Sequence, residues 1–202
     1  LPNGCISAPP SPEVAVSHEA HFESFFIRLA RASRRQGLKW SPFTAAEVEA
    51  AQSRWGLRFP PVYEVFLQTL GSTPSSGWRG RSYFYDWRKD DVAIGRALDM
   101  PLEGLLFDVE ENDLWLSSWG PRPASARRRR SSLTTLVRAA PALIPVFGHR
   151  YLLPTPAACP VLSVHQSDII VYGDDMALYL MHELAELNLE TPWEHGARWQ
   201  GE

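Results

Sequence analysis

The chain has 202 residues, of which 45% are hydrophobic and 11% aromatic, and its formal net charge is −3. A chain of this length buries roughly 70% of its unfolded surface, so one domain can form without disulfide or metal staples. The charge gives no support for nucleic acid or an anionic membrane as a partner, and no apolar run approaches the roughly 18 residues of a membrane span. The two cysteines, Cys5 and Cys159, cannot make a disulfide framework. We expect a cytoplasmic protein.

The N-terminal part predicts a tail followed by a helix. Residues 1–16 hold four prolines and few core-forming residues, which is typical of a disordered tail. Ser17 can cap a helix whose apolar residues recur at spacings of three, four and seven: Phe22, Phe25, Phe26 and Leu29. We therefore expect a single domain over residues 17–187, with a loose C-terminal tail over residues 188–202.

Two further helices are indicated by their end signals. Thr44 and Glu47 form a capping box, and Gly56 is a natural stop for the helix that it opens. Pro60 and Pro61 open the next helix, because proline is favoured in the first turn. The short connection between the two helices predicts a helical hairpin.

The middle of the chain changes character. Residues 72–80 predict a loop, residues 83–87 the start of a strand, and Asp90 a short helix that Pro101 interrupts. Beyond Pro101, short apolar runs between Gly, Pro, Asn and Asp predict antiparallel strands and hairpins. These runs are residues 105–107, 114–116, 143–147, 151–153, 161–164 and 169–172.

Two segments interrupt or follow these strands. Residues 127–130, four arginines, predict a basic loop before a short helix, and Asp174 begins a closing helix. Helices first, then strands, then a last helix favour an α+β fold. We expect the strands to be mostly antiparallel, with helices before them and a closing C-terminal helix.

The catalytic motifs considered are incomplete in this sequence or absent from it. His182-Glu183 begins like a zinc-protease helix, but Glu186 stands where the second histidine is required. The glycine-rich loops that bind phosphates and the Gly-x-Ser-x-Gly element are absent from the sequence. We therefore expect no enzyme activity and no cofactor. A hydrolase that uses His149, His165 or Asp168 stays as an alternative.

The most distinctive segment, residues 107–123, combines an acidic turn, two tryptophans and a Gly-Pro-Arg-Pro exit. The charged residues Asp108, Glu110, Glu111 and Asp113 can steer a basic partner. Trp119 can anchor an interface or cover the sheet, with Arg122 paired to a carboxylate. Trp115 on an alternating strand is expected in the core.

Four sets of residues within positions 43–187 together carry a resemblance to a known family. They are Trp55-Gly-Leu-Arg-Phe-Pro-Pro-Val-Tyr, Pro101-Leu-Glu-Gly-Leu-Leu-Phe-Asp-Val-Glu-Glu-Asn with Trp119-Gly-Pro-Arg-Pro, Leu143-Ile-Pro-Val-Phe-Gly-His-Arg-Tyr, and residues 161–172. Their order and spacing resemble the SUKH superfamily, the Smi/Knr group. The resemblance implies a single α+β domain with a curved, mostly antiparallel or mixed sheet flanked by helices, and no known catalytic activity.

The resemblance also implies a function by protein–protein contact. Many bacterial relatives are immunity proteins that neutralise toxins, so we expect an immunity protein whose partner is a polymorphic toxin domain. The alternative is a non-enzymatic regulatory scaffold that binds a host protein, and we expect neither nucleic acid nor a membrane as partner. The residues expected at the partner surface are Asp108, Glu110, Glu111, Asp113, Trp119, Arg122, His149, Arg150 and Asp168.

Overall fold

The computed structural model describes residues 12–73, 84–154 and 159–185, with residues 12–19 described by their backbone alone. Within these ranges the helices are α1 (Pro12–Arg35), α2 (Ala45–Trp55), α3 (Pro61–Thr69), α4 (Asp91–Glu111), α5 (Ala126–Ala139) and α6 (Met176–Glu183). The strands are β1 (Ile144–Phe147), β2 (Arg150–Leu152), β3 (Val161–His165) and β4 (Asp168–Gly173). A short 3₁₀ helix, Ser117–Trp119, lies between α4 and α5.

The four strands form one open antiparallel sheet in the order β1-β2-β3-β4. Consecutive strands are neighbours in the sheet, as is usual for strands that follow one another in the chain. The predicted α+β fold is confirmed: helices come first, an antiparallel sheet follows, and a helix closes the described chain.

The two faces of the sheet pack against different helices. Residues that are paired across strands point to the same face, and successive residues alternate. Leu152 and its partner Val161 therefore share the face that enters the main core with α1, α3 and α6. Tyr151 points to the opposite face, where its hydroxyl donates a hydrogen bond to the Ala97 carbonyl of α4 at 2.7 Å.

The hairpin of α2 and α3 confirms the capping signals. The Thr44 hydroxyl accepts from the Glu47 backbone at 3.2 Å, and the Glu47 carboxylate accepts from the Thr44 backbone at 2.7 Å. Gly56 ends α2 with a φ of 63°, in the left-handed region that glycine adopts readily. Buried Gln52 joins the two helices, because its amide oxygen accepts from the Phe59 backbone at 2.8 Å and its nitrogen donates to Glu64.

Two predictions for the region of α4 are wrong. It runs through Pro101 to Glu111, so proline does not end it, and residues 105–107 are helical rather than a strand. A proline at position 101 removes the hydrogen bond to the carbonyl four residues earlier, that of Ala97. The Tyr151 hydroxyl supplies the replacement donor for that carbonyl. The tertiary contact therefore lets the helix continue.

The arginine run was also wrongly predicted. Residues 127–130 lie in α5 and not in a loop, and Leu133 of the same helix is buried against α4. Arginine is a good helix former, and the Arg130 guanidinium pairs with Glu103 of α4 at 3.1 Å. Residues 114–116, predicted as a strand, instead precede the 3₁₀ helix, and residues 84–87 are turn and irregular structure.

The predicted chain ends fall largely outside the described residues. Helix α1 begins at Pro12, five residues before the predicted cap at Ser17, so residues 12–16 are helical. Residues 1–11 and the predicted C-terminal tail, residues 188–202, lie outside the described ranges, as does Glu186.

Candidate functional site

Asp108 joins two segments that lie far apart in the sequence. Asp108 is buried near the end of α4. One of its carboxylate oxygens accepts a hydrogen bond from the Ser167 backbone N–H at 2.8 Å. The other oxygen accepts from the Asn112 amide at 2.7 Å. These hydrogen bonds, that from Ser167 first, lower the pKa of the Asp108 carboxyl. The residue therefore holds the β3–β4 turn against α4 and is not an exposed contact.

The β3–β4 turn is tight and closely packed. His165 pairs with Asp168 across a two-residue turn in which Gln166 has a φ of 57°, unusual for a residue with a side chain. A Cβ atom on Gly104 of α4 would lie 2.8 Å from the Gln166 Cα. Glycine at position 104 therefore lets the helix approach the turn closely.

His149, His165 and Asp168 form an exposed group above this contact, which we name the sheet-end surface. The ring centroids of His149 and His165 lie 6.4 Å apart, although His149 lies in the β1–β2 turn and His165 ends β3. Partial burial, followed by the charges of Arg150 and His165, lowers the pKa of His149. The sheet-end surface therefore brings together two of the residues predicted at the partner surface, His149 and Asp168.

The Arg150 side chain is mostly buried among residues of the sheet and α6. Its guanidinium stacks over the Tyr172 ring at 3.6 Å and donates to the Ser163 hydroxyl at 2.9 Å. Glu183 of α6 lies 3.9 Å from the same guanidinium, and burial raises the pKa of that carboxyl. The side chain is 13% exposed, so the expectation that Arg150 is an exposed contact is wrong. It ties β2, β3, β4 and α6 together.

The residues predicted as an acidic turn lie mostly in the last turn of α4, and nearby arginines partly neutralise them. Arg122 pairs with Asp113 and also donates to the Val109 carbonyl at 2.8 Å. Arg129 of α5 holds the Glu110 carboxylate, and this hydrogen bond lowers the pKa of Glu110. Glu111 is exposed at the last turn of α4. The acidic turn therefore contributes less net negative charge than its sequence suggests.

The two tryptophans of this segment pack beside α4 and α5. The Trp115 and Trp119 rings meet edge to face at a centroid distance of 5.5 Å, and the Trp115 indole donates to the Gly120 carbonyl at 2.8 Å. Both rings are partly buried against a small cluster of Leu106, Val109 and Leu133. Trp115 is not on a strand as predicted, and Trp119 covers this cluster, not the sheet edge.

A groove of about 480 Å³ runs between α4 and α5. Its lining combines the exposed Phe107 ring with charged residues, among them Glu111 and Arg127. Its volume lies in the range of small-molecule sites. The exposed lining of the groove is mostly apolar, and the side chains that line it include carboxylates and arginines.

The described residues lack both a grouped set of metal ligands and a membrane-spanning helix. In residues 12–73, 84–154 and 159–185, no three His, Cys, Asp or Glu side chains are grouped so that they could hold a metal ion. In those same ranges, no helix has the length and apolar character needed to cross a membrane. Comparison with protein-family models, with curated proteins and with solved structures finds no match to the chain.

The predicted site residues therefore divide into three places. His149 and Asp168 lie at the sheet-end surface above buried Asp108, whereas Glu110, Glu111, Asp113, Trp119 and Arg122 lie around α4 and α5, and Arg150 is inside the fold. Sequence reasoning missed Ser167 as the link between the first two places. The signal available for it was the four-residue gap between the apolar runs at residues 161–164 and 169–172, which predicts a hairpin.

Proposed function

We propose that the protein is an immunity protein that binds and neutralises a cognate bacterial toxin through the sheet-end surface and the neighbouring last turn of α4. The proposal makes it a non-catalytic protein that acts in the cytoplasm of the cell that produces it. Its sequence basis is the resemblance to the SUKH superfamily over residues 43–187.

The observation that carries the proposal is the hydrogen bond between the Asp108 carboxylate and the Ser167 backbone. It fixes α4 to the β3–β4 turn, so that exposed residues of distant segments share one rigid surface. Rigid presentation lowers the entropy lost on binding and favours specific recognition of a protein. The surface is polar, which suits contact with a protein partner.

Electrostatic steering by this surface depends on a small number of exposed charges. Glu111 and Asp168 are exposed, whereas Asp108, Glu110 and Asp113 already have partners within the chain. Exposed charges at an interface chiefly change the association rate and its dependence on salt. We therefore assign steering of a basic toxin surface to Glu111 and Asp168.

Co-expression with the product of the adjacent gene tests the proposal. If that product is a toxin, the wild-type protein should restore growth, and the purified pair should form a complex. The double variant Glu111→Lys/Asp168→Lys should weaken the complex by at least about tenfold, or 1.4 kcal/mol, mainly through slower association. The matched control Asp99→Lys changes another exposed carboxylate of α4 and should preserve both rescue and affinity.

The outcome also separates the two candidate functions. A toxic neighbour that the wild-type protein fails to neutralise or bind would sink the immunity proposal. A harmless neighbour, together with capture of a stable complex between the protein and a host protein, would favour the regulatory scaffold.

A further inference from the structure

Strand β4 exposes three consecutive apolar side chains. Ile169 is 54% exposed, Ile170 52% and Val171 57%. Alternate residues of a strand point to opposite faces, so apolar surface is uncovered on both faces of the sheet along this strand. Single exposed apolar residues are ordinary, but a contiguous apolar strand is typical of an interaction site.

Strand β4 is also an outer strand of the sheet, next to β3 alone within the described residues. The other outer strand, β1, differs because Ile144, Pro145 and Val146 are buried and the proline lacks an N–H. Strand β4 contains no lysine, arginine or proline, the residues that commonly protect an exposed edge. Its edge is therefore open to the addition of another strand.

The backbone of β4 is oriented for such pairing. The Val164 N–H donates to the His149 carbonyl of the β2 side at 2.9 Å, so it does not point toward β4. Val164 is paired with Ile169, and in an antiparallel ladder such a pair has its backbone groups directed away from each other. The N–H and C=O of Ile169 therefore point outward, and by alternation so do those of Val171.

The charges around β4 favour a basic partner over a second copy. Exposed Asp168 begins the strand and exposed Asp174 follows it. An antiparallel self-pairing centred on Val171 would set Asp168 of one copy opposite Asp174 of the other, and like charges in opposite positions destabilise a sheet. A foreign strand with a basic residue at each end would pair with both carboxylates instead.

We infer that the outer edge of β4 binds an extended apolar segment of a protein partner, flanked by basic residues, which joins the sheet as a fifth strand. Backbone hydrogen bonds to Ile169 and Val171 supply affinity, and the apolar side chains and terminal carboxylates select the sequence. The inference rests on the proposed function only in naming the toxin as the protein that supplies this segment. Asp168 belongs to the sheet-end surface, so the two contact areas are continuous.

A peptide experiment tests the edge without any toxin. The full chain is titrated into a fluorescent peptide, Lys-Lys-Val-Thr-Val-Ile-Val-Lys-Lys, and into a twin with glutamate in place of every lysine. The basic peptide should bind at least about tenfold more tightly than the acidic twin. Failure to bind at concentrations up to about 1 mM, or equal binding of both peptides, overturns the inference.

Variants locate the binding to β4. Ile169→Pro removes an outward N–H, and Ile169→Thr/Val171→Thr keeps branched side chains while removing apolar surface. Both should weaken peptide binding by at least about tenfold, whereas Val92→Thr, at a position on α4 that is 70% exposed, should not. If Ile169→Pro fails to fold, the threonine variant decides. Unchanged binding by the threonine variant overturns the inference.

Two measurements separate this inference from its alternatives. A wild-type dimer in sedimentation that the threonine variant dissociates would replace the foreign strand with a second copy. In the co-expression assay, rescue that is lost with the threonine variant and kept with Val92→Thr supports the inference. Full rescue by the threonine variant rejects the inference about β4 but not the immunity function. Failure of the wild type to rescue rejects the immunity function, and the peptide titration then decides whether β4 binds an extended segment.

Discussion

At the scale of single residues, Asp108 shows why a carboxylate is required at one position. Its two oxygens accept from two different donors, the Ser167 backbone and the Asn112 amide. An asparagine at this position offers one acceptor oxygen and places an NH₂ group against the other donor. The lowered pKa of Asp108 has the same origin, since these hydrogen bonds favour its charged form.

We therefore predict that Asp108→Asn destabilises the protein. Its melting temperature at pH 7 should fall by about 2–4 °C relative to Asp99→Asn, which changes an exposed carboxylate of the same helix. Because the folded-state pKa is lowered, the carboxylate stabilises the fold above the ordinary carboxyl range and loses this effect as pH falls through the lowered pKa. Thermal unfolding at neutral and strongly acidic pH should show the difference shrinking in acid. An equal difference at both pH values would contradict the assignment.

The individual roles of the candidate site residues could be predicted only in part from sequence. His149 lies in the turn between β1 and β2, and Asp168 begins β4 directly after a turn, and this local pattern indicated exposure. Asp108, Glu110 and Asp113 look alike in the sequence because all three lie in one acidic run. Their different surroundings depend on Ser167, Arg129 and Arg122, which reach them only when the helices and the sheet pack.

At the scale of elements, Pro101 and Tyr151 explain the length of α4. Proline leaves the Ala97 carbonyl without its helical donor, and the Tyr151 hydroxyl of β2 donates to that carbonyl at 2.7 Å. The residue pair thus couples the interior of a helix to the sheet. The end signals of α2 and α3 were predictable because their partners lie within a few residues, whereas the continuation of α4 depends on a tyrosine 54 positions from Ala97.

A double-mutant cycle tests this coupling. Tyr151→Phe should cost about 1–3 kcal/mol, because it leaves a buried carbonyl without a hydrogen bond. Pro101→Ala restores the helical N–H, so Tyr151→Phe should cost less in that background. Chemical unfolding of the four proteins should give a coupling energy of at least about 1 kcal/mol. Additive effects would show that Tyr151 acts by packing alone.

Two glycines of α4 provide a second test of how the helix meets its neighbours. Gly95→Ala should raise the free energy of unfolding by about 0.5–1 kcal/mol, because alanine favours a helix and its Cβ would lie an ordinary 3.8 Å from the Trp55 ring. Gly104→Ala should lower it by about 1–3 kcal/mol, since its Cβ would lie 2.8 Å from the Gln166 Cα. Urea unfolding measures both changes. Equal stabilisation by the two substitutions would mean that the β3–β4 turn can move away from α4.

At the scale of the whole molecule, the buried and paired carboxyl groups set the response to pH. Burial alone would raise the pKa of Asp86, but hydrogen bonds and charge from Arg88 outweigh it and bring the pKa to about 2. Arg88 also reaches the Ser41 hydroxyl and the Phe43 ring, so the pair links the segment before α4 to the start of the α2–α3 hairpin. Glu183 has the opposite shift, because its burial beside Arg150 raises its pKa.

These shifts predict two separate pH windows for stability. The lowered pKa of Asp86 stabilises the fold above its ordinary value of 3.8, and this contribution, about 1 kcal/mol after solvent screening, is lost as pH falls toward about 2. The raised pKa of Glu183 makes its buried charge a cost at neutral pH, and that cost is relieved as pH falls through the raised pKa. The lowered pKa of His149 acts with the opposite sign in mild acid, as protonation is disfavoured in the folded state.

The contribution of Glu183 can be isolated from that of His149 by comparing the wild type with Glu183→Gln. Glutamine removes the buried charge, so the variant should gain stability relative to the wild type at pH 7 and lose that advantage as pH falls through the raised pKa of Glu183. His149 titrates in both proteins and cancels in the difference. Urea unfolding at a series of pH values measures the free energies. Both proteins should lose stability together as pH falls from the ordinary Asp86 pKa of 3.8 toward its folded-state pKa of about 2. Parallel curves across the whole range would show that α6 holds Glu183 at no cost and that the Arg150 ion pair compensates its burial fully.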